Sequence, residues 1–285
     1  AFGVSLVVPA GLSKRWESGF GKFFAEEFTV KVIELNPTVA YKVNEKFAIG
    51  GGLRFLYSEG VVKSDAAVPG KGARDMEGDA IEYGYNLALT YKPTSNDTLA
   101  ATYRSNVDVN IDGSAKLYAY TPAKTQIYTG GAGVKFPVPA ALNLAYAHNF
   151  GNLTAELVYE RTYWSTYSEL DFTYDSAQPA DFDDAIEKNW KDTDSYKVGL
   201  TYQANDNLTL MGAYAIDETP VPSESIGFEL PDADAKIYSL GFEYKLDDKS
   251  SFGVAYLLSD KENRDVSTVN EKAVPGTFKD SKVEL

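Results

Sequence analysis

The sequence predicts an all-β fold, a transmembrane antiparallel up-and-down β-barrel, from three observations. Short polar turns recur roughly every 50 residues, longer polar connections lie between them, and the intervening segments alternate apolar with polar residues. Outer-membrane barrels have this organisation, with tight turns on the periplasmic rim and long loops outside. The short turns are residues 43–46, 93–97, 150–152, 203–207 and 247–250.

The segments between the turns predict eleven strands. Their approximate spans are 1–12, 27–43, 47–62, 80–93, 98–112, 130–148, 152–172, 194–203, 207–217, 235–246 and 250–262. The run from 153 to 172 is read as one strand of about 20 residues, which is long for a soluble protein but suits a barrel strand that projects beyond the membrane.

The fifth strand shows the alternation most clearly. Its apolar face carries Leu99, Ala101, Tyr103, Val107, Val109 and Ile111. Its polar face carries Thr102, Arg104, Asn106, Asp108, Asn110 and Asp112. A period of two residues predicts one apolar wall and one wet wall.

An odd number of strands suggests an incomplete barrel. Bacterial single-chain barrels have even counts, and an open sheet would leave two unpaired edges in lipid. We therefore expect residues 1–285 to form a single barrel domain that lacks strands at both ends.

Composition narrows the class of partner. The chain has 285 residues, no cysteine and a formal net charge of −14, and it contains no run of 18 apolar residues. The acidity argues against a nucleic-acid partner. Tyrosine–lysine pairs at 41–42, 91–92 and 244–245 lie just before short turns, as in an aromatic girdle at a membrane interface, although ordinary strand-end tyrosines give the same pattern.

Several short motifs occur in a characteristic order. Asp217–Pro222 is followed by Leu230–Asp234, and the chain also contains Leu35–Tyr41, Thr102–Ser105 and Tyr163–Ser165. With these motifs the chain resembles the FadL family of outer-membrane transporters for long-chain fatty acids and other hydrophobic compounds. The resemblance covers nearly the whole chain.

The resemblance implies a barrel of about 14 strands closed by an N-terminal hatch, of which this chain would supply strands three to thirteen without the hatch or the closing strand. It implies a monomer in the outer membrane of a Gram-negative bacterium. The expected partners are outer-membrane lipid and a hydrophobic small molecule, a fatty acid or hydrocarbon. No cofactor, no metal and no catalysis are expected.

The first candidate site is a kink at Pro9 and Gly11. Proline removes a ladder donor and glycine permits a bulge, so the strand can bend away from its neighbour. The resemblance implies an inward kink here that opens the wall sideways for an apolar cargo. Alternatively, these residues only end a strand before the loop 12–26.

The second candidate is the aromatic content of the outer loops. Leu12, Trp16, Phe20 and Phe24 lie in loop 12–26, and Trp190 lies in loop 173–193. Exposed apolar groups in a loop need a functional or structural reason. They form a groove that captures cargo, or they pack against other loops or the membrane interface.

The third candidate is a cation for a carboxylate head group. Lys63 lies near the outer end of its strand, and the resemblance places Lys188 in a head-group region. Both are also explained as solvated lysines. Arg104 is expected to face inward and to pair with a luminal carboxylate such as Asp108.

Three other functions remain possible from the sequence. A general diffusion porin and a surface-exposed adhesin or scaffold are consistent with the polar strand faces and the long loops. A hydrolase would need the single histidine, His148, but this residue lies two positions before a short turn, far from an outer-leaflet substrate.

Overall fold

The computed structural model describes residues 1–67, 72–266, 276–278 and 282–284. The strands in these ranges are β1 (Phe2–Arg15), β2 (Glu27–Lys42), β3 (Phe47–Asp65), β4 (Gly72–Tyr91), β5 (Asp97–Arg104), β6 (Val107–Tyr120), β7 (Lys124–Val138), β8 (Ala141–Asn149), β9 (Leu153–Thr162), β10 (Glu169–Tyr174), β11 (Ile186–Glu187), β12 (Thr193–Gln203), β13 (Leu208–Asp217), β14 (Ala235–Lys245), β15 (Ser251–Lys261), β16 (Arg264–Val266), β17 (Gly276–Phe278) and β18 (Lys282–Glu284). Two short helices are α1 (Lys22–Ala25) and α2 (Ala180–Asp183).

The strands form one long antiparallel wall, which confirms the predicted fold class. Its order is β1-β2-β3-β4-β5-β8-β9-β12-β13-β14-β15. The outer half of β4 turns from β5 to β6, and β6, β7, β10 and β11 extend the wall on that side. With β5–β6, β7–β8 and β9–β10 each counted once, the path contains the eleven predicted strands. The sheet is not closed, since β1 pairs only with β2 among the described residues.

The predicted long strand 153–172 is wrong in its middle. The chain leaves the ladder after Thr162, forms a short 3-10 turn at Trp164–Thr166 and resumes as β10. β9 pairs with β8 and β12, whereas β10 pairs with β7 and β11. The interruption lets the outer end of the wall divide.

A β-bulge bends β1 at the predicted kink. Val7 pairs with Glu34 and Ala10 with Val32, so β1 takes three steps where β2 takes two. Pro9 lies within the bulge and has no N–H to give to a ladder.

A second bulge lies between β5 and β6. Arg104 pairs with Asn86 and Asp112 with Asp79, so this chain takes eight steps where β4 takes seven. The extra residue turns Val107, Val109 and Ile111 inward, where all three are buried. The prediction that they share one face with Leu99 and Tyr103 is therefore wrong, because side-chain alternation reverses at a one-residue bulge.

The outer surface of the wall is rich in exposed apolar side chains. Residues of this kind occur on most of the wall strands, for example Leu53, Tyr83, Leu87, Leu157, Tyr196, Leu240 and Val254. A barrel wall presents such a band to lipid.

The described helices are too short and too polar to cross a membrane.

The outer ends of the strands are capped by packed loops. An apolar cluster joins strand residues such as Met76, Leu117 and Phe172 to loop residues such as Phe182 and Ile226. Loop 175–192 is tied to loop 218–234 by a backbone hydrogen bond from Lys191 to Pro220 of 3.0 Å.

Candidate functional site

A cavity of about 640 Å³ lies inside the wall, beneath the loop cap. Small-molecule sites typically occupy about 300–1,000 Å³ and are mostly apolar with a few polar groups. The apolar lining includes Phe28, Val30, Val62, Met76, Ile111, Val134, Phe136, Leu170 and Phe172.

The apolar lining follows from strand alternation and from the second bulge. Phe28 and Val30 occupy alternate positions of β2, so they point to one side of the sheet. Ile111 reaches the same space because the second bulge reverses the side-chain alternation of its strand. It packs with Val32 and Leu56. The apolar residues named above thus come from six strands, β2, β3, β4, β6, β7 and β10, and the loops cover them.

A charged cluster forms the end of the cavity nearest the short turns. Glu34 Oε2 accepts hydrogen bonds from Arg54 Nε at 3.0 Å and from an Arg104 guanidinium nitrogen at 2.6 Å. Glu34 and Arg54 are fully buried, whereas the Arg104 side chain is 34% exposed. A second Arg54 nitrogen donates to the Ser105 carbonyl at 2.6 Å. Both arginines line the cavity.

The opposite wall is more polar. Glu160, Thr193, Asp217, Glu218 and Asp232 line this side of the cavity. Lys197 binds Glu160 at 3.1 Å, and Lys261 binds Asp232. An apolar face and a wet face therefore meet in one lumen.

Four of the predicted site residues line this cavity. Pro9, Gly11 and Leu12 reach it from β1, and Trp190 reaches it from the loop cap. Because β1 continues to Arg15, the prediction that Leu12 lies in a loop is wrong, and so is the alternative that the strand ends at Pro9 and Gly11. Trp190 is buried and lies edge-on to Trp164 and Tyr167, with ring centroids 4.9 Å away in each case.

Three others form a separate aromatic cluster above it. The Trp16 indole donates to the Phe228 carbonyl at 2.8 Å, and the Phe24 ring stacks on Phe228 at 5.9 Å. Phe20 contacts the same rings but keeps 42% of its surface exposed. Loop–loop packing, one of the two alternatives, is therefore observed. A role in capture stays a prediction.

The two predicted lysine ligands lie outside the cavity lining. Lys63 faces Asp75, with 3.6 Å between the nitrogen and the oxygen. Lys188 is buried against Glu229 at 2.5 Å and holds two outer loops together. Neither is a solvated lysine without a partner, and their role toward a head group stays a prediction.

Arg104 pairs with an inward carboxylate as predicted, but the choice of Asp108 as that carboxylate is wrong. Arg104 faces inward as predicted but pairs with Glu34. Asp108 lies beyond the second bulge, where alternation has reversed, and pairs with Lys135 at 3.3 Å on the other face.

His148 has a structural environment. Its Nδ1 lies 2.7 Å from Asp97 Oδ1, and the Tyr146 hydroxyl donates to the same oxygen at 2.7 Å. The Thr94 hydroxyl, then His148 and Tyr146, lower the pKa of Asp97 to about 2. This cluster links β5 to β8 beside a short turn. The described residues contain no group of carboxylates or histidine suited to a metal ion.

The sequence prediction missed Glu34 and Arg54. Both lie in apolar strands at positions that share a face with buried residues, Val32 for Glu34 and Leu56 for Arg54. Charged residues on the inward faces of two adjacent strands indicate a buried ion pair. Which residues pair across the strands depends on the register, however.

The wall and its capped apolar cavity define a β-barrel of the outer-membrane type. The chain belongs to the family described as outer membrane protein transport protein (OMPP1/FadL/TodX), whose model matches residues 1–284. This confirms the predicted family and an outer-membrane location. The family is one of transport proteins and not of enzymes.

Individual relatives agree with the family. A long-chain fatty acid transport protein of Escherichia coli is 22% identical over 91% of this chain, and the chain spans 66% of its length. A Pseudomonas aeruginosa FadL homologue superposes with a TM-score of 0.84 at 24% identity, covering 95% of this chain and 69% of that one. The Ralstonia pickettii toluene transporter TbuX gives 0.74 at 18% identity, covering 92% and 73%.

Proposed function

We propose that this chain forms the greater part of an outer-membrane channel for passive uptake of hydrophobic small molecules, with long-chain fatty acids as the cargo. The observation that carries the proposal is the apolar cavity inside a barrel wall, covered on its outer side by packed loops. An open diffusion pore would need a water-filled lumen instead. No reaction is catalysed in this proposal, and the protein acts as a monomer.

The route has three stages. The exposed edge of the Trp16–Phe20–Phe24 cluster captures the cargo from the outer surface. The cavity, with Leu12 and Trp190 in its lining, then binds it. Pro9 and Gly11 lie where the bulged strand borders both the cavity and the outer face, so the cargo leaves sideways into lipid without crossing water.

The choice of a fatty acid over a hydrocarbon as cargo rests on the charged end of the cavity. Relatives include proteins named for fatty acids and for toluene. The charged end of the cavity supports a cargo with a polar head, whereas the apolar lining suits either class.

The test uses the complete protein that contains this chain, folded into liposomes. Entry of a fluorescent long-chain fatty acid and of a small hydrophilic sugar would be followed in parallel. Saturable fatty-acid entry with little sugar leak is expected. Rapid sugar entry without saturation of fatty-acid transfer would instead indicate a diffusion porin, and tight binding without transfer would indicate a binding scaffold.

A further inference from the structure

The charged cluster at the end of the cavity carries more positive than negative charge. Two guanidinium groups, Arg54 and Arg104, meet the single carboxylate of Glu34, and both are bound to the same oxygen. Arg54 alone neutralises Glu34, since its Nε donates a hydrogen bond to that oxygen at 3.0 Å and its Nη2 lies 2.9 Å from it. Arg104 is therefore the surplus cation.

Arg104 is also the member of the cluster that reaches the cavity with free donors. A guanidinium has five N–H donors. Within the described part of the chain, the side chain of Arg104 makes one hydrogen bond, to Glu34. Arg54 is enclosed by Glu34 and the Ser105 carbonyl. The remaining donors of Arg104 border a cavity whose nearby lining, Ala141 and Val138, is apolar.

We infer that Arg104 binds the carboxylate of an amphiphilic cargo and thereby determines specificity, with the apolar tail of the cargo lying in the cavity toward the loop cap. This inference rests on the proposed function. A guanidinium fork matches a carboxylate with two parallel hydrogen bonds, which are strong where water is excluded. Glu34 holds Arg104 by one hydrogen bond, and Arg54 holds Glu34 in turn.

Three of the four carboxylates named on the opposite wall have partners other than Arg104. Glu160 is held by Lys197, and Asp232 by Lys261. Glu218 accepts the Asp194 backbone N–H at 3.0 Å. An incoming anion therefore meets unused N–H donors on the guanidinium group of Arg104.

The experiment compares one ligand in two charge states. A fluorescent polyene fatty acid and its methyl ester share the tail and differ in the carboxylate. Binding of each to the complete protein in a fixed concentration of detergent gives two Kd values and their ratio. We expect the wild-type protein to bind the acid more tightly than the ester.

Arg104→Gln should raise the Kd of the acid by about tenfold or more, because it removes a charge-assisted hydrogen bond, and should leave the ester within about twofold. Arg104→Lys, which keeps the charge, should keep most of the preference. Lys135→Gln is the matched control, since it removes the same charge from the outward Lys135–Asp108 pair.

Each other result overturns the inference in a distinct way. Equal losses for acid and ester in Arg104→Gln would mean a structural role only. The same effect in Lys135→Gln would mean a general effect of net charge. A wild-type protein that binds the ester as well as the acid would remove the specificity claim while the proposed apolar channel stands. Binding of neither ligand would remove both.

Discussion

The β1 bulge and the bulge between β5 and β6 each add one residue to their strand, but their surroundings differ. In the β5–β6 bulge, the Ser105 hydroxyl accepts the Tyr85 backbone N–H at 3.0 Å, and Glu82 accepts the Asn110 backbone and side-chain N–H groups at 3.3 and 2.9 Å. In the β1 bulge, no side-chain hydrogen bond spans residues 7–11 and β2 among the described residues. A bulge weakens the contact between two strands only when side chains do not replace the backbone hydrogen bonds that the bulge removes.

The charged cluster connects these two places. Glu34 lies opposite Val7 at the start of the β1 bulge, and Arg54 donates to Ser105 at the second. The contacts from Glu34 to Arg54 and from Arg54 to Ser105 therefore connect the β1–β2 pair to the β5–β6 bulge across the floor of the cavity. We call the β5–β6 bulge the repaired bulge, because side chains replace its lost ladder bonds. Three predictions test this difference between the bulges, beginning with the largest effect, and a fourth concerns the short turn before β5.

Glu34→Leu should lower the free energy of unfolding by about 3–5 kcal/mol, because it leaves Arg54 buried without a counter-charge. Urea unfolding in lipid vesicles, followed by tryptophan fluorescence, measures the change. Glu59→Leu is the control, since its pair with Lys31 is exposed and should be worth less than about 1 kcal/mol. Equal effects in the two variants would show that the buried cluster does not tie the bulges together.

Deleting Val8 should slow fatty-acid transfer into liposomes by about tenfold, which corresponds to about 1.4 kcal/mol on the barrier. The deletion leaves Val7 opposite Glu34 and Ala10 opposite Val32 with one residue between, as in a regular ladder. Equilibrium binding should be unchanged, because the cavity is retained.

Deleting Asn106 is the matched control at the other bulge. The deletion gives this chain the same number of residues as the facing part of β4, but it does not affect the proposed exit in β1. Transfer of the fatty acid should therefore stay within about twofold of wild type. Loss of transfer in this variant, or wild-type transfer without Val8, would contradict the assignment of the exit to β1.

Ser105→Ala should destabilise the protein by about 1 kcal/mol, because the Tyr85 N–H loses its acceptor in the repaired bulge. Ser13→Ala is the control on β1, where the hydroxyl pairs with Thr29 at an exposed site, and should change stability by less than about 0.5 kcal/mol. Thermal unfolding in detergent compares the two. A larger loss for Ser13 would reverse the contrast between the bulges.

The sequence was sufficient for the wall and for the place of one bulge. Alternation predicted the strands from 27–43 to 250–262 closely, except for 152–172. Pro9 marked the β1 bulge because proline has no N–H for a ladder, whereas Gly11 pairs regularly with Lys31 just beyond the bulge. Ser105 and Asn106 carry no such mark, so the reversal beyond them was missed. Because this reversal was missed, the burial of Ile111 and the pairing of Asp108 with Lys135 were missed as well. The Glu34–Arg54–Arg104 cluster required the register of three strands, which a single sequence does not specify.

The smallest effect is expected at the turn end of the strand that carries the repaired bulge. Hydrogen bonds from Thr94, His148 and Tyr146 hold the pKa of Asp97 at about 2, below its ordinary value. A carboxyl with a lower pKa in the folded state stabilises that state at neutral pH, and the contribution is lost as the pH falls through its ordinary value toward 2. His148→Ala removes one of the three donors, so the pKa of Asp97 should rise and the midpoint of acid unfolding should move to higher pH. Carbon-13 NMR of the Asp97 carboxyl in micelles measures its pKa. Asp97→Asn, which lacks the titrating group, is the control for the midpoint of acid unfolding. An unchanged Asp97 pKa would assign the effect to Thr94 and Tyr146 alone, and the turn would then be held without the histidine.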